Sequence, residues 1–64
     1  MDDAPHLVGK ILHEEVTPEQ VMAAVGATAY RIEALGGVYT CDWRPERVRI
    51  SVSEDKRITN LRQG

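Results

Sequence analysis

The chain has one cysteine, Cys41, and no phenylalanine among its 64 residues, and aromatic side chains make up only 5%. A single cysteine cannot close an internal disulfide, so the usual staple of small secreted domains is missing. No apolar run approaches the ~18 residues of a membrane-spanning helix, and no membrane partner is expected. A basic excess is missing too: 8 Lys and Arg stand against 10 Asp and Glu, for a net charge of −2. Dedicated nucleic-acid binders show the opposite balance, so a nucleic-acid partner is not expected either. The start, Met1-Asp2-Asp3-Ala4-Pro5, is acidic and lacks an apolar core, so it does not read as a secretion signal. The compartment is left open between an intracellular chain and one that has lost a leader.

A chain of this length makes one domain, residues 1–64, with 1–6 expected as a loose N-terminus. Such a domain buries only ~60% of its unfolded surface. It has little room for a deep ligand cavity, so activity is expected on a loop carried by a rigid scaffold. His6 and His13 lack a third ligand at metal-binding spacing, so neither a metal nor a cofactor is expected.

The clearest local signal is a helix start. Thr17 can cap free N–H groups, Pro18 suits the first helical position, and Gln20 can complete a capping box. Val21, Met22, Ala24 and Val25 form an apolar stripe, and Gly26 is placed to end the helix in a left-handed conformation. Ala29 to Leu35 reads as a strand, with Tyr30, Ile32 and Ala34 on a mostly apolar face. Gly36-Gly37 breaks it. Arg47 to Ser53 alternates strictly, with Val48, Ile50 and Val52 on one face. After the polar turn Glu54-Asp55-Lys56, residues 57–61 form a short third strand around Ile58. These elements predict an α+β fold: one α-helix packed on a small twisted β-sheet. A long exposed loop joins two of the strands, which need not be hairpin partners and could pair in parallel if it crosses over.

That loop carries the functional signal. Its central run, Val38-Tyr39-Thr40-Cys41-Asp42-Trp43-Arg44, is rich in extended-type residues, the conformation a protease cleft accepts from a substrate. Arg47 and Arg49 follow at i, i+2, on one face of a strand. Thr40 and Asp42, on either side of Cys41, are acceptors they could reach from beneath. An arginine donates up to five hydrogen bonds, and charge-assisted ones are about twice as strong as neutral ones. A loop braced this way avoids the ordering cost of ~0.5–1.5 kcal/mol per immobilised side chain when it binds.

The stretch Thr40-Cys41-Asp42-Trp43-Arg44-Pro45-Glu46-Arg47-Val48-Arg49-Ile50 resembles the reactive loop and supporting strand of the potato inhibitor I family of serine-protease inhibitors, the barley chymotrypsin inhibitor and eglin type. Leu7-Val8-Gly9-Lys10, Gly36 and the final Arg62-Gln63-Gly64 are also similar to that family. Arg44-Pro45-Glu46-Arg47 and Arg57-Ile58-Thr59 resemble a related bacterial and fungal inhibitor group. The resemblance implies a substrate-like inhibitor of subtilisin- and chymotrypsin-type serine proteases that binds rather than catalyses. Cys41 would take the primary specificity position, and Cys41–Asp42 would be the scissile-like bond. Val38, Tyr39, Thr40, Trp43 and Arg44 would line the protease-binding loop, with Arg47 and Arg49 in support.

Cys41 departs from the Leu or Met that the family prefers. As a small hydrophobe it should fit a subtilisin or elastase-like pocket modestly, and with no positive charge it does not suit a trypsin pocket. The chain is expected to be a monomer that oxidation at Cys41 would link into a dimer. The competing readings are an inhibitor fold that serves only as a binding or oligomerisation module, a buried core role for Trp43, and an RNA-binding patch built from Trp43, Arg44, Arg47 and Arg49.

Overall fold

In the computed structural model, which describes residues 2–34, 36–37 and 42–64, one α-helix packs on a three-stranded mixed sheet. The elements in chain order are a 3-10 turn at Pro5–Leu7, helix α1 (Pro18–Val25), and strands β1 (Ala29–Ala34), β2 (Arg47–Val52) and β3 (Ile58–Gln63). The fold is α+β, as its sequence pattern predicts.

Helix α1 forms where its capping residues place it. The Thr17 side chain accepts from the Gln20 N–H at 3.1 Å, and the Gln20 side chain accepts from the Thr17 N–H at 2.8 Å. This reciprocal pair occupies two amide donors that have no partner inside the helix. The helix ends at Gly26 in the left-handed region, φ 76°. Val21 and Val25 face the sheet and are fully buried. They meet Val48, Ile50 and Val52 of β2 and Ile58 of β3 in one core, closed at the other end by Leu7, Leu12 and Val16.

The sheet order is β1-β2-β3, with β2 in the centre. Strands β1 and β2 run parallel, with Ala29 opposite Arg47 and Ile32 opposite Ile50. Parallel neighbours cannot be joined by a tight hairpin and need a crossover of about a dozen residues. Residues 35–46 are that crossover, and this is why the loop is long. Strand β3 pairs antiparallel to β2, with Ile50 opposite Leu61, and a bulge interrupts the register between Ser51 and Val52. It runs to Gln63, two residues beyond the end that its apolar pattern predicts, because backbone pairing with β2 continues through Arg62 and Gln63.

Two expectations need correction. Residues 2–6 are not a loose end: the Asp2 N–H donates to the Val25 carbonyl at 2.9 Å, and Ala4 is buried. The N-terminal segment thereby takes up an acceptor at the end of α1. The face of β1 that reads as apolar is also only half covered, with Tyr30 and Ala34 exposed, while Glu33 on the opposite face is buried. β1 is an edge strand, and its charged face lies among arginines.

Candidate functional site

The strand register fixes the chemistry of the sheet's outer face, opposite the core. Side chains that point there alternate with Val48 and Ile50: Arg31 and Glu33 from β1, and Arg47 and Arg49 from β2. The crossover returns to β2 at this face, and Asp42 sits where three guanidinium groups, those of Arg31, Arg44 and Arg47, converge.

Asp42 has arginines on both carboxylate oxygens. Arg31 Nη1 lies 3.5 Å from Oδ1, while Arg44 Nε at 3.2 Å and Arg47 Nη1 at 3.4 Å donate to Oδ2. Arg47 Nη2 also donates to the Asp42 backbone carbonyl at 2.8 Å. The same guanidinium reaches Gly64 O with Nε at 3.0 Å and Nη2 at 2.5 Å. Arg47 is one of only two buried charged residues among those described, the other being Glu33. Its planar fork links Asp42 in the loop to Gly64 at the end of β3, a bridging geometry that a lysine ammonium cannot reproduce.

The backbone repeats the connection. Gly64 N–H donates to the Arg47 carbonyl at 3.0 Å, and Arg44 N–H donates to Gly64 O at 3.3 Å. Gln63 Nε2 donates to the Pro45 carbonyl at 2.8 Å. Residues 42–47 are therefore fastened to both β2 and β3. Trp43 is 66% exposed, so it is not the core tryptophan of the domain. Its indole edge lies over Gly64: a Cβ placed there would meet Trp43 Cδ1 at 3.1 Å and Arg49 Cδ at 3.3 Å.

Arg49 bonds to Glu33, and Thr40, one of the two acceptors expected for the arginine pair, lies outside the described residues. Arg49 Nε donates to Glu33 Oε2 at 3.0 Å, and Arg31 Nη2 approaches the same oxygen at 3.1 Å. Burial alone would raise the Glu33 pKa. The hydrogen bond and charge of Arg49, followed by the charge and hydrogen bond of Arg31, outweigh it and hold the carboxyl below its usual range. Arg31 thus joins two carboxylates, Glu33 beneath and Asp42 above.

Of the residues singled out from sequence, Asp42, Trp43, Arg44, Arg47 and Arg49 come together here. Val38, Tyr39, Thr40 and Cys41 lie outside the described residues. Sequence reasoning did not assign Arg31, Glu33 or Gly64 to the site, although Gly64 is part of the resemblance. Once β1 and β2 are taken as parallel, Arg31-x-Glu33 falls beside Arg47-x-Arg49, and that pattern could have revealed the first two. At the far end of the sheet an open, mostly apolar groove of about 340 Å³ is lined in part by Leu12, Ile32, Ala34 and Val52. Among the described residues no three of His, Cys, Asp and Glu gather as metal ligands, and no helix is long and apolar enough to cross a membrane.

Comparison with models of known families, and with curated proteins, finds no match for this chain.

Proposed function

We propose that the chain is a substrate-like inhibitor of serine proteases of the subtilisin and chymotrypsin type. The crossover loop enters the active-site cleft, Cys41 fills the primary specificity pocket, and the Cys41–Asp42 bond lies at the catalytic serine. Thr40 and residues 38–39 cover the acyl side, and Trp43 and Arg44 the leaving-group side.

The observation that carries this reading is the double hold on Asp42. Its carbonyl and its carboxylate are both bonded to Arg47, which is itself buried and bonded to Gly64. A residue on the leaving-group side that cannot drift away keeps a cut amine next to the acyl group, which favours resealing over release. A rigid segment also loses less entropy on binding than a flexible loop of equal length. Substrates that are merely long and exposed have no such attachment on the far side of the bond.

The test is a titration of subtilisin and chymotrypsin activity with the reduced protein, followed by mass analysis of the mixture. Stoichiometric loss of activity with slow cleavage between Cys41 and Asp42 is the expected result. Rapid digestion there, or no loss of activity, overturns the reading. Cys41→Leu, which supplies the larger side chain that these pockets favour, should inhibit more tightly than the parent.

A further inference from the structure

The sheet register places three arginines in a row across all three strands: Arg31 opposite Arg49, and Arg49 opposite Arg62. Directly opposed like charges destabilise a sheet. Glu33 relieves the first pair by bonding to both Arg31 and Arg49. Arg62 is exposed and has no carboxylate partner among the described residues. Arg44, tied to Asp42 by Nε, keeps 59% of its side chain exposed.

Charge is segregated over the whole molecule. Of the 8 basic and 10 acidic residues, five arginines and three carboxylates (Glu33, Asp42 and Glu46) belong to this face and its loop, a local excess of about two positive charges. The acidic majority lies elsewhere. Asp2 is at the end of α1, Glu14, Glu15 and Glu19 are before and within its first turn, and Glu54 and Asp55 are in the β2–β3 turn. Solubility alone is served by interspersed charge. Segregation with a costly arginine row beside the loop is what a directed electrostatic encounter uses.

We propose that the outer sheet face is a docking surface for an acidic rim next to the active site of the target protease, with Arg62 and Arg44 as its exposed contacts. This rests on the inhibitor reading of the loop. The face orients the molecule so that the loop meets the cleft first, and it selects among proteases of similar pocket by the sign of their surface charge. An acidic protein fits better than a nucleic acid, because the chain as a whole is negative and Trp43 is the one exposed indole on this face.

The experiment compares chymotrypsin with chymotrypsin whose surface lysines are succinylated, which makes the same cleft's surroundings acidic. Association rate constants are read from progress curves between 10 and 300 mM NaCl. With the succinylated enzyme the rate should fall about tenfold over that range, and Arg62→Glu should lower the low-salt rate severalfold, with Arg62→Gln in between. Native chymotrypsin should give a flat profile. Inhibition of both enzymes without salt dependence overturns the docking surface and leaves the inhibitor standing. Inhibition of neither removes both. Salt-dependent binding to a twelve-nucleotide oligouridylate, abolished by Arg62→Glu, would reassign the arginine row to nucleic acid and overturn the proposal.

Discussion

Arg47 donates twice to the carbonyl oxygen of Gly64, through Nε at 3.0 Å and Nη2 at 2.5 Å. The bond spans the sheet from the first residue of β2 to the residue that follows β3, and it turns the remaining donors of the guanidinium toward the loop. Stability and loop geometry are thereby coupled through a single buried side chain.

Arg47→Ala should therefore cost stability as well as inhibition. It removes the guanidinium donors from the Gly64 and Asp42 carbonyls, and bonds to charged donors contribute ~1.5–3 kcal/mol each. A loss of about 2–4 kcal/mol in urea denaturation is expected. Cleavage at Cys41–Asp42 should accelerate by more than the stability loss accounts for. Arg47→Lys should recover part of the stability and little of the resistance to cleavage, since an ammonium cannot reach both carbonyls in the plane of a fork.

Glu33 makes stability depend on pH in a defined direction. Burial alone would raise its carboxyl pKa, but Arg49 and Arg31 hold it below its ordinary value. The unfolded chain therefore takes up the proton at a higher pH than the folded one. The stabilisation is present above about pH 4.5 and is lost as pH falls through the folded-state value. Glu33→Gln should be less stable than the parent at pH 7, by about 1–3 kcal/mol, because Arg49 and Arg31 lose a charged acceptor. The gap should close as the pH is lowered toward 3. Urea midpoints for both proteins at pH 7, 4.5 and 3 check it, and a constant gap would mean that the buried ion pair contributes nothing.

Gly64→Ala tests the contact beneath Trp43. The backbone there has φ 133°, and an added Cβ would stand 3.1 Å from Trp43 Cδ1 and 3.3 Å from Trp43 Nε1. Positive-φ strain on a non-glycine residue costs of order 1–3 kcal/mol. The expected outcome is a destabilised protein whose single tryptophan emission shifts as the indole is lifted off the sheet. Unchanged emission would show that Trp43 does not rest on Gly64 in solution.

The main elements are legible in the sequence because each is marked locally. Thr17-Pro18-Glu19-Gln20 carries its own capping chemistry, and the alternation of Val48, Ile50 and Val52 fits only one face of one strand. What was not legible depends on pairing. Nothing in Ala29–Ala34 says that its neighbour runs parallel, and without that fact Arg31 and Glu33 have no reason to join the loop's support. Two acceptors for two arginines was the simplest reading of the segment. Among the described residues two carboxylates are shared by four arginines, with Gly64 as a further acceptor. The N-terminal residues were misjudged for the same reason: Asp2 looks loose until the end of α1 is brought to it.

Asp42→Ala separates the loop's rigidity from the fold's stability. Its carboxylate is 44% exposed and meets Arg31, Arg44 and Arg47 at 3.2–3.5 Å. Exposed ion pairs contribute only about 0–1 kcal/mol each, so the urea midpoint should move little. The Arg47 bond to the Asp42 backbone carbonyl survives the substitution, as does its bond to Gly64. The side chain's share of the hold is lost, and Arg44, whose Nε is bonded to that carboxylate, is released with it. Inhibition of subtilisin should weaken roughly tenfold, the equivalent of one charge-assisted bond of about 1.4 kcal/mol, and cleavage after Cys41 should quicken. Asp42→Asn, which keeps one acceptor oxygen for the arginines, should fall between the two. If Ala and Asn variants both inhibit like the parent, the carboxylate is a bystander and the loop is held by its backbone alone.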